Sequence, residues 1–466
     1  MEEVDRIPVP TEHAGLQEGP LDRAASVAQL ERQLAATPRA IYPYQHAGLA
    51  YRLGLAYAES AGTHPAEGLR KALACYDLAA SIFDPRFDPV PHARVLNAAG
   101  AVHRALGDRK AAAALFEKSA QLLEGRDRDD ERAGVLNNLG LVSMELGEPE
   151  RAVEACDQAL ALFDPTSSEG IRGWAATMHT RGMAQAALGT EAGLVAALHD
   201  YEQALGVVGP TEAPYHFAIL QQAAGVAGVA LAGIRPDQAD RLLAAAARAF
   251  EEALTVFTRS GFPYQYALAK NNMGLALLRR ATRPDGEGAI EGLRWALACF
   301  EETVAVLDPR VYRAEWEQGY TNLERTQAEL AGHGSTASRA EHFAALLAAS
   351  PEDLRVQMLR ERLTRLLMLP EPQRHASLLE LAVASARADF DAVRSYITAE
   401  LGILMEMPRP DLQTGLQARF DAHRSLDDTE REIADRGLDQ AIGDALVGPQ
   451  KIYVRDFLYG LGWERP

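Results

Sequence analysis

Cysteine is nearly absent: Cys75, Cys156 and Cys299 are the only three in 466 residues. An odd, widely spaced set excludes a disulfide framework and a thiolate zinc site. Lysine is almost as scarce, with Lys71, Lys110, Lys118, Lys270 and Lys451 the whole complement, and the arginines are scattered through a chain of formal net charge −18. Without a concentrated basic face, duplex nucleic acid is not expected as a ligand, nor attachment to an anionic membrane. The most apolar run, AGVAGVALAGI at 224–234, reads as too short and too Ala/Gly-rich for a membrane span. The opening MEEVDRIPVPTEHAGLQEGP is acidic, rich in Pro and Gly, and lacks the apolar stretch of a signal peptide. Residues 1–20 are expected to be a disordered acidic tail, and the protein cytoplasmic.

Catalytic signatures are missing too. There is no P-loop, no Gly-x-Ser-x-Gly elbow, no His-Glu-x-x-His and no dinucleotide fingerprint, and the twelve histidines show no ligand spacing. No catalytic, cofactor-binding or metal-binding residue can be named, and no cofactor is expected.

What the chain does have is repetition. GLRKALACYDLAASIFDP at 68–85 returns as GLRWALACFEETVAVLDP at 292–309. The same frame places Ala at 72, 112, 152, 197, 246 and 296, and four residues on Tyr76, Phe116, Cys156, Tyr201, Phe250 and Phe300. Three further lie Ala79, Ser119, Ala159, Ala204, Ala253 and Thr303; four more give Phe83, Leu123, Phe163, Val208, Phe257 and Leu307. Such offsets mark one face of an α-helix. Upstream of each copy stands a glycine, at 54, 100, 140, 182, 225 and 274, seven residues after an alanine. Glycine inside a helix is unfavourable by about 1 kcal/mol against alanine, so its recurrence calls for close approach by a neighbouring helix, with the downstream Ala as the expected contact.

Paired helices A and B carrying Gly, then Ala, an aromatic and Ala at these intervals resemble the tetratricopeptide repeat. The resemblance covers residues 41–330 and implies an all-α, right-handed superhelical solenoid of six helix pairs. Residues 21–40 hold an amphipathic helix expected to cap it. AEWEQGYTNLERTQAEL at 314–330 puts Glu324 where the glycine should stand, and is expected to end the array. The stretch 332–337 reads as a short hinge. Beyond it, 338–466 reads as a C-terminal helical domain, with helices near 372–390, 391–406, 410–424, 428–446 and 450–460, and Ser350 as the N-cap of the helix that precedes them.

The resemblance implies that the A helices line a concave groove. Three residues before each repeat glycine stand Tyr51, Asn97, Asn137, His179, Gln222 and Asn271. Amides at successive steps can both donate to and accept from an extended main chain; the bland alternative is that they solvate the face or bond between helices. Arg94 and Arg104, with Arg279 in the sixth copy, could add charge for a carboxylate. Gly134, Ala176 and Ile219 interrupt the pattern of the family's clamp for chaperone tails. The entrance aromatics in YPYQHA (42–47), APYHFA (213–218) and FPYQYA (262–267) are expected to staple A helices together rather than form a binding ledge. The expected function is therefore a non-enzymatic scaffold or adaptor holding a protein or peptide partner. A ligand-responsive regulator with the C-terminal region as output is one alternative. An enzyme with a site between solenoid and C-terminal region, around 395–406 or the aromatic C-terminus, is another.

Overall fold

The structure is a computed structural model that describes residues 23–59, 65–163, 168–283, 289–333, 337–387 and 389–466. The expected tail at 1–20 and residues 334–336 of the expected hinge lie outside the described residues. Among those described there are helices and no strand. Two compact units divide the chain: residues 1–276 with 302–319, and 277–301 with 320–466.

The first unit opens with α1 (Arg23–Ala36), followed by five hairpins: α2 (Pro43–Glu59) with α3 (Pro65–Ala80), α4 (Pro89–Ala105) with α5 (Arg109–Leu123), α6 (Asp129–Glu145) with α7 (Pro149–Leu160), α8 (Ser168–Ala187) with α9 (Glu191–Leu205), and α10 (Pro214–Ile234) with α11 (Ala239–Leu254). The sixth copy is α12 (Pro263–Ala281) and α13 (Ala289–Val306), then α14 (Arg313–Gly332). Each helix of the five hairpins packs mainly on its sequence neighbours, most extensively on its hairpin partner. Proline stands at the start of α2, α4, α10 and α12, where its missing N–H leaves nothing unsatisfied. Turn glycines Gly107 and Gly147 take φ of 85° and 76°, a conformation other residues resist.

The glycines do admit a close neighbour, but it is the aromatic and not the alanine. A Cβ at Gly54 would lie 2.5 Å from the Tyr76 ring, at Gly100 2.8 Å from Phe116, at Gly182 2.5 Å from Tyr201 and at Gly225 2.6 Å from Phe250. At Gly140 the smaller Cys156 takes the place, with Sγ 2.7 Å away and the Ala152 carbonyl at 3.4 Å. The alanines serve differently: having no side chain beyond Cβ, they let the two backbones approach, and Ala72, Ala112, Ala152 and Ala197 are fully buried. Where the third position carries a hydroxyl, it reaches across the hairpin, Ser119 Oγ donating to the Ala93 carbonyl (2.7 Å) and Thr303 Oγ1 to that of Ala267 (3.2 Å). The entrance aromatics staple neighbours at Tyr215 with Phe257 (5.8 Å) and Tyr264 with Tyr312 (4.7 Å), while Tyr42 and Tyr44 stay exposed.

One expectation needs correction at α10. The helix runs 21 residues and is long and apolar enough to cross a membrane by length and composition. Only part of it was counted in the sequence, because Tyr215, His216 and the two glutamines mask its length. It packs between α9 and α11, half of its apolar stretch buried there.

The second unit follows another rule. Beyond α15 (Arg339–Ala349) come α16 (Glu352–Leu367), α17 (Glu371–Ala386), α18 (Phe390–Met405), α19 (Arg409–Ser425), α20 (Asp428–Ala445) and α21 (Gly448–Leu461). Here a helix packs chiefly on the next but one, α17 on α19 and α18 on α20. The N-caps of α16 to α20 are Pro351, Pro370, Asp389, Pro408 and Asp427, each 19 residues after the last. Ser350 is thus not an N-cap; it closes α15, its Oγ donating to the Leu346 carbonyl at 2.8 Å. The short connectors are held by cations reaching eight residues back to a carbonyl of the preceding helix end: Arg355 to Leu347 (2.8 Å), Arg431 to His423 (3.1 Å) and Lys451 to Gly443 (2.8 Å). These bonds add a second donor at the Leu347 and His423 carbonyls, which the cap N–H groups of Ser350 and Leu426 also reach, and so tie each connector to the helix end before it. Leu359, Leu363, Ile397, Leu401, Val454 and Leu458 form the centre of the core.

Candidate functional site

The six residues marked by the repeat fall one to a helix on α2, α4, α6, α8, α10 and α12, all within the first unit. Asn271 is buried and the other five are half-buried. None carries charge at neutral pH. Tyr51 lies beside Tyr76 (ring centroids 6.0 Å), and burial pushes its phenol up to about 12 despite the pull of Arg94. Burial, followed by the His216 charge, draws the His179 imidazole down to about 4.

One member of the row is bonded to a residue beside it, Asn97 Oδ1 accepting from Asn138 across α4 and α6 at 3.1 Å. Two others hold an acceptor shielded from solvent with no hydrogen-bond partner: Asn137 Oδ1 and Gln222 Oε1. Leaving such an oxygen unpaired costs about 1–3 kcal/mol, and buried polar atoms in folded proteins nearly always find a donor.

Arg94 and Arg104 go elsewhere. Arg94 grips Glu131 with two N–H groups, Nε at 2.7 Å and Nη2 at 2.5 Å, and Arg104 holds Glu145 at 2.7 Å. Both ion pairs tie α4 to α6, so the charge that would greet a carboxylate is already neutralised.

A third arginine was not singled out from sequence. Arg181 forks onto Asp200 (Nε to Oδ2 2.7 Å, Nη2 to Oδ1 2.6 Å) and reaches Asp157 at 2.7 Å, joining α8 to α9 and α7. The signal was available. The positions just before the repeat glycine and the aromatic read Leu53/Cys75, Ala99/Leu115, Leu139/Ala155, Ala224/Ala249 and Met273/Cys299, apolar in every copy but this one. A complementary charge pair in one copy of an apolar pair of columns reads as a contact.

The His179 environment has a pH consequence. Unfolded chain takes up a proton near the ordinary histidine value, whereas the folded chain does so only near 4. Stability contributed by the neutral ring is therefore lost as pH falls from about 6.5 to 4. Urea midpoints measured across that window are expected to drop more steeply for the wild type than for His179→Gln. Parallel curves would show that the ring accepts its proton in the folded state.

Stacked two-helix hairpins, glycine cradles filled from the partner helix and a uniform polar row define a helical-repeat protein of tetratricopeptide-like fold. No protein-family model matches the chain, and no curated protein does. Solved structures that it is similar to include the C-terminal part of a TPR repeat-containing protein from Cytophaga hutchinsonii, at 14% identity and a TM-score of 0.39, covering 65% of this chain and 94% of that one. A monomeric mutant of IFIT1 with Gppp-AAAA matches at 14% identity and 0.41, over 86% of this chain and 76% of that one. The human IFIT1 dimer with PPP-AAAA matches at 12% and 0.34, over 87% and 80%. Likeness at this level carries no inference about function.

Proposed function

We propose that the first unit is a binding scaffold whose A-helix row takes an extended segment of a protein or peptide partner. The observation that carries this reading is the pair of shielded, unpartnered acceptors, Asn137 Oδ1 and Gln222 Oε1, at one register of α6 and α10. Oxygens of this kind ask for N–H donors, and an extended main chain presents them at regular intervals. A phosphate backbone presents acceptors only, and Arg94 and Arg104, two of the three arginines considered for this layer, are spent on Glu131 and Glu145; nucleic acid is not the ligand we propose. Packing of α10 between α9 and α11 suits a soluble repeat, and a cytoplasmic setting goes with it. The protein acts by holding its partner and not by transforming it.

The test uses peptides selected on the full chain from a random extended library. Replacing main-chain N–H groups one at a time by N-methyl should weaken binding at two or more positions, by about fivefold or more each. Asn137→Ala/Gln222→Ala should make the protein indifferent to the same methylations. A wild-type protein that tolerates every N-methyl group, or selects no peptide at all, overturns the reading.

A further inference from the structure

We infer that the second unit carries a binding site for a free amino acid with a large side chain, in the cleft between α16 and α18. The cleft is open to solvent along one side and has a volume of about 550 Å³, within the range usual for small-molecule sites.

Its recognition groups come from one end. Arg355 is fixed by three donations, Nε to the Leu347 carbonyl and Nη2 to the Ser350 carbonyl at 2.8 Å each, and Nη1 to Ser395 Oγ. No carboxylate among the described residues pairs with it, unlike Arg360, which holds Glu406 at 2.6 Å, and Arg394, which holds Asp444 at 2.8 Å. A guanidinium has five N–H donors, so two remain, on a half-buried cation with its charge uncompensated. Ser395, accepting from Arg355, keeps its own proton to donate, and Thr398 stands one turn on along the same lining.

The opposite charge lies one turn away. Glu352 precedes Arg355 by three residues and Asp391 precedes Ser395 by four, spacings that share a helix face. The contacts Arg355 to Ser395 and Arg360 to Glu406 show α16 and α18 running the same way, which brings both acids to the same end of the cleft. Neither acid has an ion-pair partner among the described residues. Two carboxylates and one fixed guanidinium at the same end of the cleft offer a partner to each charge of a molecule with an ammonium and a carboxylate on one carbon. Beyond them Val356, Ala399 and Ile403 line the cleft, and a Cβ at Gly402 would meet nothing within 4 Å. That space is where a bulky side chain goes. The inference is independent of the A-helix reading.

Calorimetric titration of the full chain with L-tryptophan, L-phenylalanine and L-leucine tests it. At least one should bind saturably, with N-acetylated and carboxamide forms of the same compound weakened by about tenfold or more, since each loses one charge contact. Gly402→Phe would fill the cleft from a helical position with open space around it, leaving the fold intact and removing binding. Asp391→Asn should weaken binding severalfold with unchanged circular dichroism. No saturable binding by any of the three, equal binding of either capped form, or full binding to Gly402→Phe would each overturn the site.

Discussion

Glu400→Leu is expected to destabilise the second unit by about 3–5 kcal/mol, the size of loss that follows when one member of a buried ion pair is removed. Glu400 and Arg419 are almost wholly inaccessible, with side-chain exposures of 6% and 2%. Arg419 sits in α19 and its Nε and Nη2 lie 2.9 and 2.7 Å from Glu400 Oε2 in α18, while Nη1 donates to the Ala382 carbonyl and Ser385 Oγ of α17, each at 3.0 Å. Its cation also lies 5.1 Å from the centre of the Tyr396 ring. One side chain thus joins three helices through a charge that Glu400 alone balances. Burial pushes the Glu400 carboxyl up while the guanidinium holds it down; a leucine would leave the guanidinium with only neutral acceptors. Glu400→Leu/Arg419→Met should recover most of the loss, because it removes the stranded charge and keeps the volume. Hydrogen exchange of amides in α17 to α19 reads the effect within the second unit. Slow exchange preserved in Glu400→Leu would show that Arg419 does not depend on this partner.

Among the described residues the sequence told helix from strand, and for the first unit it told which positions lie at the hairpin contact. Six copies of one spacing leave little freedom, and Ala112 or Ala152 could be placed at the hairpin contact because only a residue of that size permits it. What it could not tell was the direction in which a side chain leans. The glycine was matched to alanine on the grounds of smallness, whereas the ring four residues on leans back over its own helix and fills the space. Arg94 shows a different limit. Its partner Glu131 lies 37 residues away on a helix whose register is known, yet many carboxylates on an acidic surface could have served. In the second unit the 19-residue step was in plain view at Pro351, Pro370, Asp389, Pro408 and Asp427. A search tuned to helix pairs of about twice that length passes over it, because chemically different residues fill the same N-cap role. Of the candidate row, the positions were legible and the unpaired oxygens were not, since whether an amide finds a partner depends on angles that spacing does not encode.

Gly48→Ala and Gly54→Ala are expected to act with opposite signs, though both lie in α2 and both exchange the same atoms. Around Gly48 a Cβ would meet nothing within 4 Å. The substitution then trades a poor helix former for the best one and should stabilise by up to about 1 kcal/mol. At Gly54 the new Cβ would stand 2.5, 2.8 and 3.0 Å from three atoms of the Tyr76 ring, closer than carbon atoms approach. The ring has little room to retreat: Tyr76 is 1% exposed and is flanked by Tyr51. Overpacking should outweigh the propensity gain and leave a net loss of about 1–3 kcal/mol. Adding Tyr76→Leu, itself destabilising, should make Gly54→Ala nearly neutral, a coupling of at least about 1 kcal/mol in the double-mutant cycle. Urea unfolding followed by the helical signal, with hydrogen exchange on α2 and α3 to localise it, measures all four proteins. Additive effects at Gly54 and Tyr76 would mean that the repeat glycine is not there to receive the ring, and the packing rule read across Gly100, Gly182 and Gly225 would fall with it.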